Sequence, residues 1–251
     1  MFLRGMKTKK KKPKKTTKKE QNFRSFKKLL RKLDNEPDSL NEQWDLWCKK
    51  NKNVRDREEV IIGAVLTQQT NWRNVELAMD NLRRLGLASL KAISLSDEKN
   101  IADAIKPAGY YRSKSRCLIN LAKCVLDKHG SVTNMMNGEL VVLRQSLLAV
   151  KGVGFETADS ILLYALDKRT FVVDEYTRRL AVKLWPEDAF PKKEKPAQMN
   201  KNVYLFLKNV FEEHLEEDFS LFQDVHAKIV IYGKKEGAKN RPAKGLSKGK
   251  R

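Results

Sequence analysis

Runs that would build a sheet are almost missing from this sequence. Thr170 to Val173 is the only short β-branched stretch, and apolar residues elsewhere recur at helical spacing. The fold class expected is therefore all-α. Cysteine is scarce too: Cys48, Cys117 and Cys124 are odd in number and scattered, which excludes a disulfide framework and a cysteine-built metal site. They fit a reducing, intracellular setting. Cys117 and Cys124, seven apart on one helical pattern, read as packing residues. Long apolar runs are also lacking. The longest, Val60 to Leu66, is far too short to cross a bilayer, and the charged N-terminal stretch has no apolar segment behind it. Neither a membrane partner nor a secretory signal is expected.

Acidic residues are in deficit, with 31 Asp and Glu against 52 Lys and Arg, a net charge of +21 over 251 residues. The excess is uneven. Residues 1–20 hold ten Lys or Arg and one Glu, and residues 234–251 hold eight and one. The part between is only mildly basic. Segments this polar and self-repelling cannot bury apolar area, so both ends are expected to be disordered tails. Such tails bind polyanions by displacing counterions from phosphates, without reading sequence; a plain solubility tail has the same composition. Hydrophobic residues make up 41%, enough for one core of moderate size or two small ones.

Along the chain, Phe23, Phe26, Leu29, Leu30 and Leu33 fall at helical spacing, and Trp44 and Trp47 follow in a short segment. Asp56 with Glu59 predicts a capping-box start for a helix over Arg57 to Leu66. Further helices are predicted near Trp72–Leu85, Asp97–Ile105, Arg112–His129, Glu139–Leu148, Phe155–Leu166 and Glu175–Leu184. A last amphipathic stretch, Val203–Tyr232, is expected to break near Asp218.

The segment Leu147-Leu-Ala-Val-Lys-Gly-Val-Gly-Phe-Glu-Thr-Ala158 is the most informative. One helix ends, two glycines two apart make a tight turn, and a second helix begins. Gly152 and Gly154 permit backbone angles that a side chain forbids. They also let a phosphate approach amides that the new helix leaves unpaired, where its dipole adds positive charge. An ordinary αα-hairpin with a glycine cap has the same pattern. Downstream, Val172-Val-Asp174 places an acid directly after an apolar run, at the start of the next helix. Asp174 reads as an N-cap, and an N-cap carboxylate is also free to do chemistry.

Lys151-Gly-Val-Gly-Phe-Glu-Thr-Ala158 followed by Val172-Val-Asp-Glu-Tyr-Thr-Arg178 resembles the helix-hairpin-helix (HhH-GPD) glycosylases of the endonuclease III superfamily. Ile62-Gly-Ala-Val-Leu-Thr-Gln-Gln-Thr70 is similar to the helix whose end enters the DNA stack in that superfamily, and Ile105 to Ser115 to the loop before its hairpin. The resemblance spans about residues 57–232. The Gly-Tyr-Tyr loop, the Ala-Asp-Ser-Ile helix and His226-Ala-Lys-Ile-Val230 are most similar to the bacterial 3-methyladenine branch.

The resemblance implies two helical lobes around a DNA-binding cleft. Residues 57–169 would form a barrel-like domain ending in the hairpin, and 21–56 with 170–233 a second lobe carrying the acid. Asp174 falls on the family's catalytic aspartate. Lys151, Gly152, Val153 and Gly154 would hold DNA, with Arg112, Lys114 and Arg178 as phosphate contacts; a solvated charge is the equal alternative for each of these three. Gln69 would fill the gap left by a flipped base; a surface position at a helix end is its alternative. Trp72, Trp47 and Tyr110 would line the base pocket, Trp44 and Tyr111 beside them, with core packing the alternative for the tryptophans. Glu156 occupies the place of the lysine that makes bifunctional members lyases, so strand cleavage is not expected. No cysteine follows Cys124, so no iron–sulfur cluster is expected, nor a metal at His226; a monovalent cation on the hairpin carbonyls is left open. The implied protein is a monomeric, intracellular, monofunctional glycosylase acting on double-stranded DNA with a damaged base, most simply an alkylated purine. A thymine-mismatch or oxidised-pyrimidine glycosylase, or a non-catalytic DNA-binding protein, are the alternatives.

Overall fold

The computed structural model describes residues 18–34, 43–191, 198–215 and 218–239, and among them there is no strand. Thirteen α-helices follow one another: α1 Lys18–Leu33, α2 Gln43–Trp47, α3 Val54–Leu66, α4 Trp72–Arg84, α5 Leu90–Leu95, α6 Glu98–Ala104, α7 Tyr111–Lys123, α8 Val132–Met136, α9 Leu140–Leu148, α10 Phe155–Ser160, α11 Glu175–Leu184, α12 Lys201–His214 and α13 Phe219–Lys239. Wide π-turns extend α7 through Cys124–Lys128 and α10 through Ile161–Ala165.

Sequence explains the placement of α3 at the centre. It is apolar nearly all round, with Val60 through Leu66 buried, so it must be enclosed. It packs against α4, α7, α8, α10 and the π-turn after α10, and α2 lies on it. Its cap differs from the expected one. Asn53 is the N-cap: its side chain accepts from Asp56 N–H, and Asp56 accepts from Asn53 N–H. Glu59 is buried instead and pairs with Arg83 at 2.7 Å. Asn competes as well as Asp for a cap, and the helix gains a turn by starting earlier.

Around the other side, α1 docks on α11, α12 and α13. Phe26 meets Phe211 edge-on, and Phe211 stacks on Phe171 with centroids 3.9 Å apart. The tails are shorter than the charge count implied. Helix α1 begins at Lys18 and α13 runs on to Lys239, because Tyr232, Gly233 and Glu236 still find α11 beneath them. The rest of both tails lies outside the described residues. Two short helices, α5 and α8, gave no periodic signal, being six and five residues long.

Candidate active site

The acid at the end of the apolar run is held from two directions. Thr170 to Val173 are buried and belong to no helix, and they deliver Asp174, itself extended, to the N-cap of α11. Its Oδ1 accepts from Thr177 N–H at 2.7 Å and from the Thr177 hydroxyl at 2.8 Å. Oδ2 is left, with His226 Nε2 at 3.8 Å. The side chain is 13% exposed. Behind it, Val173 N–H donates to Tyr204 Oη at 3.5 Å, and Tyr204 Oη donates to Asp159 Oδ2 at 2.8 Å. Arg144 grips the fully buried Asp159 with two hydrogen bonds, at 2.7 and 2.9 Å. Burial, and then the Asp159 charge, push the Tyr204 phenol well above its ordinary range, so it stays a donor. Asp159 belongs to α10, so the backbone before Asp174 is tied to the hairpin.

Between α9 and α10 the two glycines differ. Gly152 has φ +97°, and a Cβ there would lie 3.0 Å from Cys117 Cβ and Sγ. Gly154 is extended, with φ −94° and ψ −177°, and open space surrounds it. Only Gly152 therefore needs to be glycine for its angles; Gly154 keeps the approach to the α10 amides clear, and no side chain caps them. Val153 is buried beneath the turn and Lys151 is exposed on it. Gln68 Nε2 donates to Gly152 O at 3.1 Å and to Thr157 Oγ1 at 2.9 Å. One of the hairpin carbonyls considered for a cation, that of Gly152, thus already has a donor.

A cleft of about 1080 Å³ opens over these groups. Its wall unites Gln69, Trp72, Trp47, Glu156 and Asp174 with Gly152 and Gly154, all anticipated from sequence. Trp44 joins them. The indoles form a cage: Trp44 meets Trp47 at 85° and Trp47 meets Trp72 at 86°, with centroids 6.0 and 6.2 Å apart. Gly63 lets Trp47 lie against α3, since a Cβ there would come within 3.3 Å of the ring. All three indole N–H groups are buried without a partner among the described residues. Gln69, exposed at the end of α3, has φ +53°, an uncommon angle for a residue with a side chain. Glu156 reaches the water of the cleft but is crowded by protein. Desolvation first, then the Asp174 and Glu175 charges, push its pKa up to about 8.

Residues 62–204 match the HhH-GPD superfamily base excision DNA repair protein family. A protein of Methanocaldococcus jannaschii, provisionally named a DNA repair glycosylase, is 40% identical over 71% of this chain and 77% of its own length. The chain belongs to the HhH-GPD superfamily. Membership makes it a base-excision-repair DNA glycosylase. The 3-methyladenine DNA glycosylase MagIII of H. pylori, solved with 1,N6-ethenoadenine bound, is 27% identical with a TM-score of 0.62, covering 84% of this chain and 98% of that one. A trapped endonuclease III–DNA covalent intermediate shares the fold, at 17% identity and a TM-score of 0.60, covering 91% and 92%.

Four of the residues expected to touch DNA or the base, Lys114, Arg178, Tyr110 and Arg112, lie outside the cleft wall. Lys114 is 2% exposed, and its ammonium donates to Leu66 O at 2.8 Å and Ala108 O at 2.9 Å. It closes the end of α3 from inside and cannot meet a phosphate; burial lowers its pKa to about 8. Arg178 is buried too, its guanidinium held by Glu175 at 2.6 and 2.8 Å, and it stands outside the cleft wall. Tyr110 is 65% exposed and not part of that wall. It precedes α7 with φ +47°, which turns it outward while Tyr111 packs on the core. Arg112 is exposed on the first turn of α7, also outside the wall.

The sequence alone assigns no role to Gln68 or Tyr204, and weighs His226 only as a metal ligand that is not expected. The histidine had a signal: Phe222, Ile229 and Val230 share its face at helical spacing, which marks a buried position. That position is beside Asp174, where only the tertiary fold brings it. Among the described residues no three His, Cys, Asp or Glu side chains converge as a metal-binding group, and no helix is long and apolar enough to cross a membrane.

Proposed function

We propose that this glycosylase flips an alkylated purine, with 3-methyladenine as the type case, from duplex DNA into the tryptophan cage and hydrolyses its N-glycosidic bond. The observation that carries the reading is Asp174 in the wall of the same cleft as the Trp44–Trp47–Trp72 cage, with Oδ2 uncapped. A cationic alkylated base is drawn to indole faces, an attraction of about 0.5–2 kcal/mol per contact. It also leaves readily. The electron pair of the C1′–N bond departs with the base and cancels its charge, while the anion of Asp174 stabilises the oxocarbenium-like sugar. Water then adds to C1′, and its proton passes through Asp174 to solvent.

The supporting parts follow from the same geometry. The hairpin amides at Gly154 with Lys151 grip the backbone phosphate, and Gln69, held out at the end of α3, fills the vacated stack. Glu156 occupies the place of the lyase lysine, and a carboxylate forms no Schiff base, so the abasic strand stays intact. No cysteine follows Cys124, so the thiolates of an iron–sulfur cluster have no source in this sequence. The enzyme works as an intracellular monomer on DNA, and the basic ends add sequence-independent affinity.

The test is incubation with duplexes carrying 3-methyladenine, 1,N6-ethenoadenine, a thymine mismatch or an oxidised pyrimidine. Release of the alkylated purine, with strand scission only after alkali, is expected. Release of thymine or oxidised pyrimidine alone would overturn the lesion assignment; scission without alkali would overturn the monofunctional reading.

A further inference from the structure

His226 lies on α13 with its ring buried in the cleft wall. Trp44 and Phe171 crowd it, their rings edge-on to the imidazole at 81° and 85°. Its Nδ1 is 2.7 Å from Tyr164 Oη. Its Nε2, buried, has no hydrogen-bond partner among the described residues and lies 3.8 Å from Asp174 Oδ2. A buried nitrogen left this way costs stability, so its direction calls for a reason.

Counting the protons available favours one tautomer of the ring. Tyr164 has one hydroxyl proton and two acceptors in reach, His226 Nδ1 and, at 3.2 Å, Gln223 O. Gln223 sits inside α13, where its carbonyl has an intrahelical donor. Giving the proton to Gln223 would put hydrogen on Nδ1 and turn the bare lone pair of Nε2 toward a carboxylate. Giving it to Nδ1 puts the hydrogen on Nε2, pointing at Oδ2. The second arrangement is electrostatically preferred. Tyr164 is set for this by the π-turn Ile161–Ala165, a rare backbone form. Burial lowers the His226 pKa below its ordinary value, with the Asp174 charge opposing. Asp174 and the Tyr164 hydroxyl are the titratable groups facing the ring, and Cys48 and Asp224 act on Tyr164 in turn. A neutral imidazole orients the carboxylate without cancelling the charge the sugar needs.

We infer that His226 is a positioning residue: its Nε2–H, aimed by Tyr164, engages Asp174 Oδ2 and, with Thr177 on Oδ1, fixes the carboxylate plane against the deoxyribose. The inference rests on Asp174 being the reacting acid. Two measurements on the full chain separate its failure from failure of the lesion reading. The first is nitrogen NMR of 15N-histidine protein, which has only three histidines to resolve. His226 should be the Nε2–H tautomer at pH 7, and Tyr164→Phe should abolish that preference. An Nδ1–H tautomer overturns the inference, whatever lesion the enzyme takes.

The second is single-turnover excision by His226→Phe and His226→Gln, with affinity for abasic-analogue duplex measured alongside. Glutamine places an N–H near the position of Nε2 and does not titrate. Loss of about 100-fold in rate is expected for Phe and loss within about threefold for Gln, because a small misplacement of a reacting group costs that much. Affinity should hold for both. An unchanged rate in the Phe variant, or equal losses in both variants, overturns the inference. A wild-type enzyme inactive on every alkylated duplex defeats the lesion reading instead, and the tautomer still decides the role of His226.

Discussion

Gln68 donates to the Gly152 carbonyl at 3.1 Å, so the end of α3 and the hairpin turn are one bonded unit. The neighbouring Gln69 and the hairpin amides would meet DNA together. Gln68→Ala removes this bond and the one to Thr157, and should cost about 1–2 kcal/mol of stability. DNA affinity should fall in parallel. Chemical denaturation and a binding titration check both, and an affinity loss without a stability loss would place Gln68 on the DNA rather than under it.

The two hairpin glycines should respond differently to alanine. Gly152→Ala forces a side chain into φ +97° and against Cys117, a strain of about 1–3 kcal/mol. Gly154→Ala meets neither obstacle and should leave the melting temperature near wild type. It should nonetheless weaken DNA binding, since the methyl group stands where a phosphate would approach. Equal melting temperatures for the two variants would contradict the backbone assignment.

Lys114 and Lys151 separate a structural cation from a DNA-binding one. Lys151→Ala should reduce the salt slope of DNA binding by about one unit, the share of one phosphate contact. Lys114→Met should leave that slope unchanged and lower stability, because the Leu66 and Ala108 carbonyls lose their donor. A reduced slope in the Lys114 variant would restore it as a phosphate contact.

That contrast shows where sequence legibility ends. Gly-Val-Gly and the acid after Val172-Val173 could be read because each is local: a tight turn, and a buried run delivering a cap. The indole cage was half legible: the family resemblance places Trp72, and Trp47 and Trp44 more weakly, but the mutual angles of the rings follow from neither. Lys114 was misread from its neighbourhood in a basic loop. Its spacing to Leu118 and Leu121 puts it on the buried face of α7, and that period was the better guide. Tyr204, Asp159 and Arg144 were invisible for another reason. Their bonds join α12, α10 and α9 across 15 to 45 residues of sequence, a distance that no local pattern encodes.

Glu156 gives a pH dependence of stability. Its folded pKa, about 8, is above its ordinary 4.5, so between those values the native state binds more proton than the unfolded one. Stability from this group is fully present below pH 4.5 and is lost as pH rises through 8. Glu156→Gln removes the titration. Its melting temperature should therefore gain on wild type from pH 5 to pH 8, with salt reducing the gain because the side chain meets cleft water. A constant difference across that range would show that neither burial nor the Asp174 charge raises the carboxyl's pKa.

The central claim is that the Asp174 carboxylate performs the hydrolysis, and single-turnover excision by Asp174→Asn tests it most directly. Asparagine caps a helix as well as aspartate does, so α11 and DNA affinity should survive the change. The account predicts at least about a 100-fold loss of rate on a duplex that wild type processes. A variant that binds the same DNA and releases the base at the wild-type rate would contradict it.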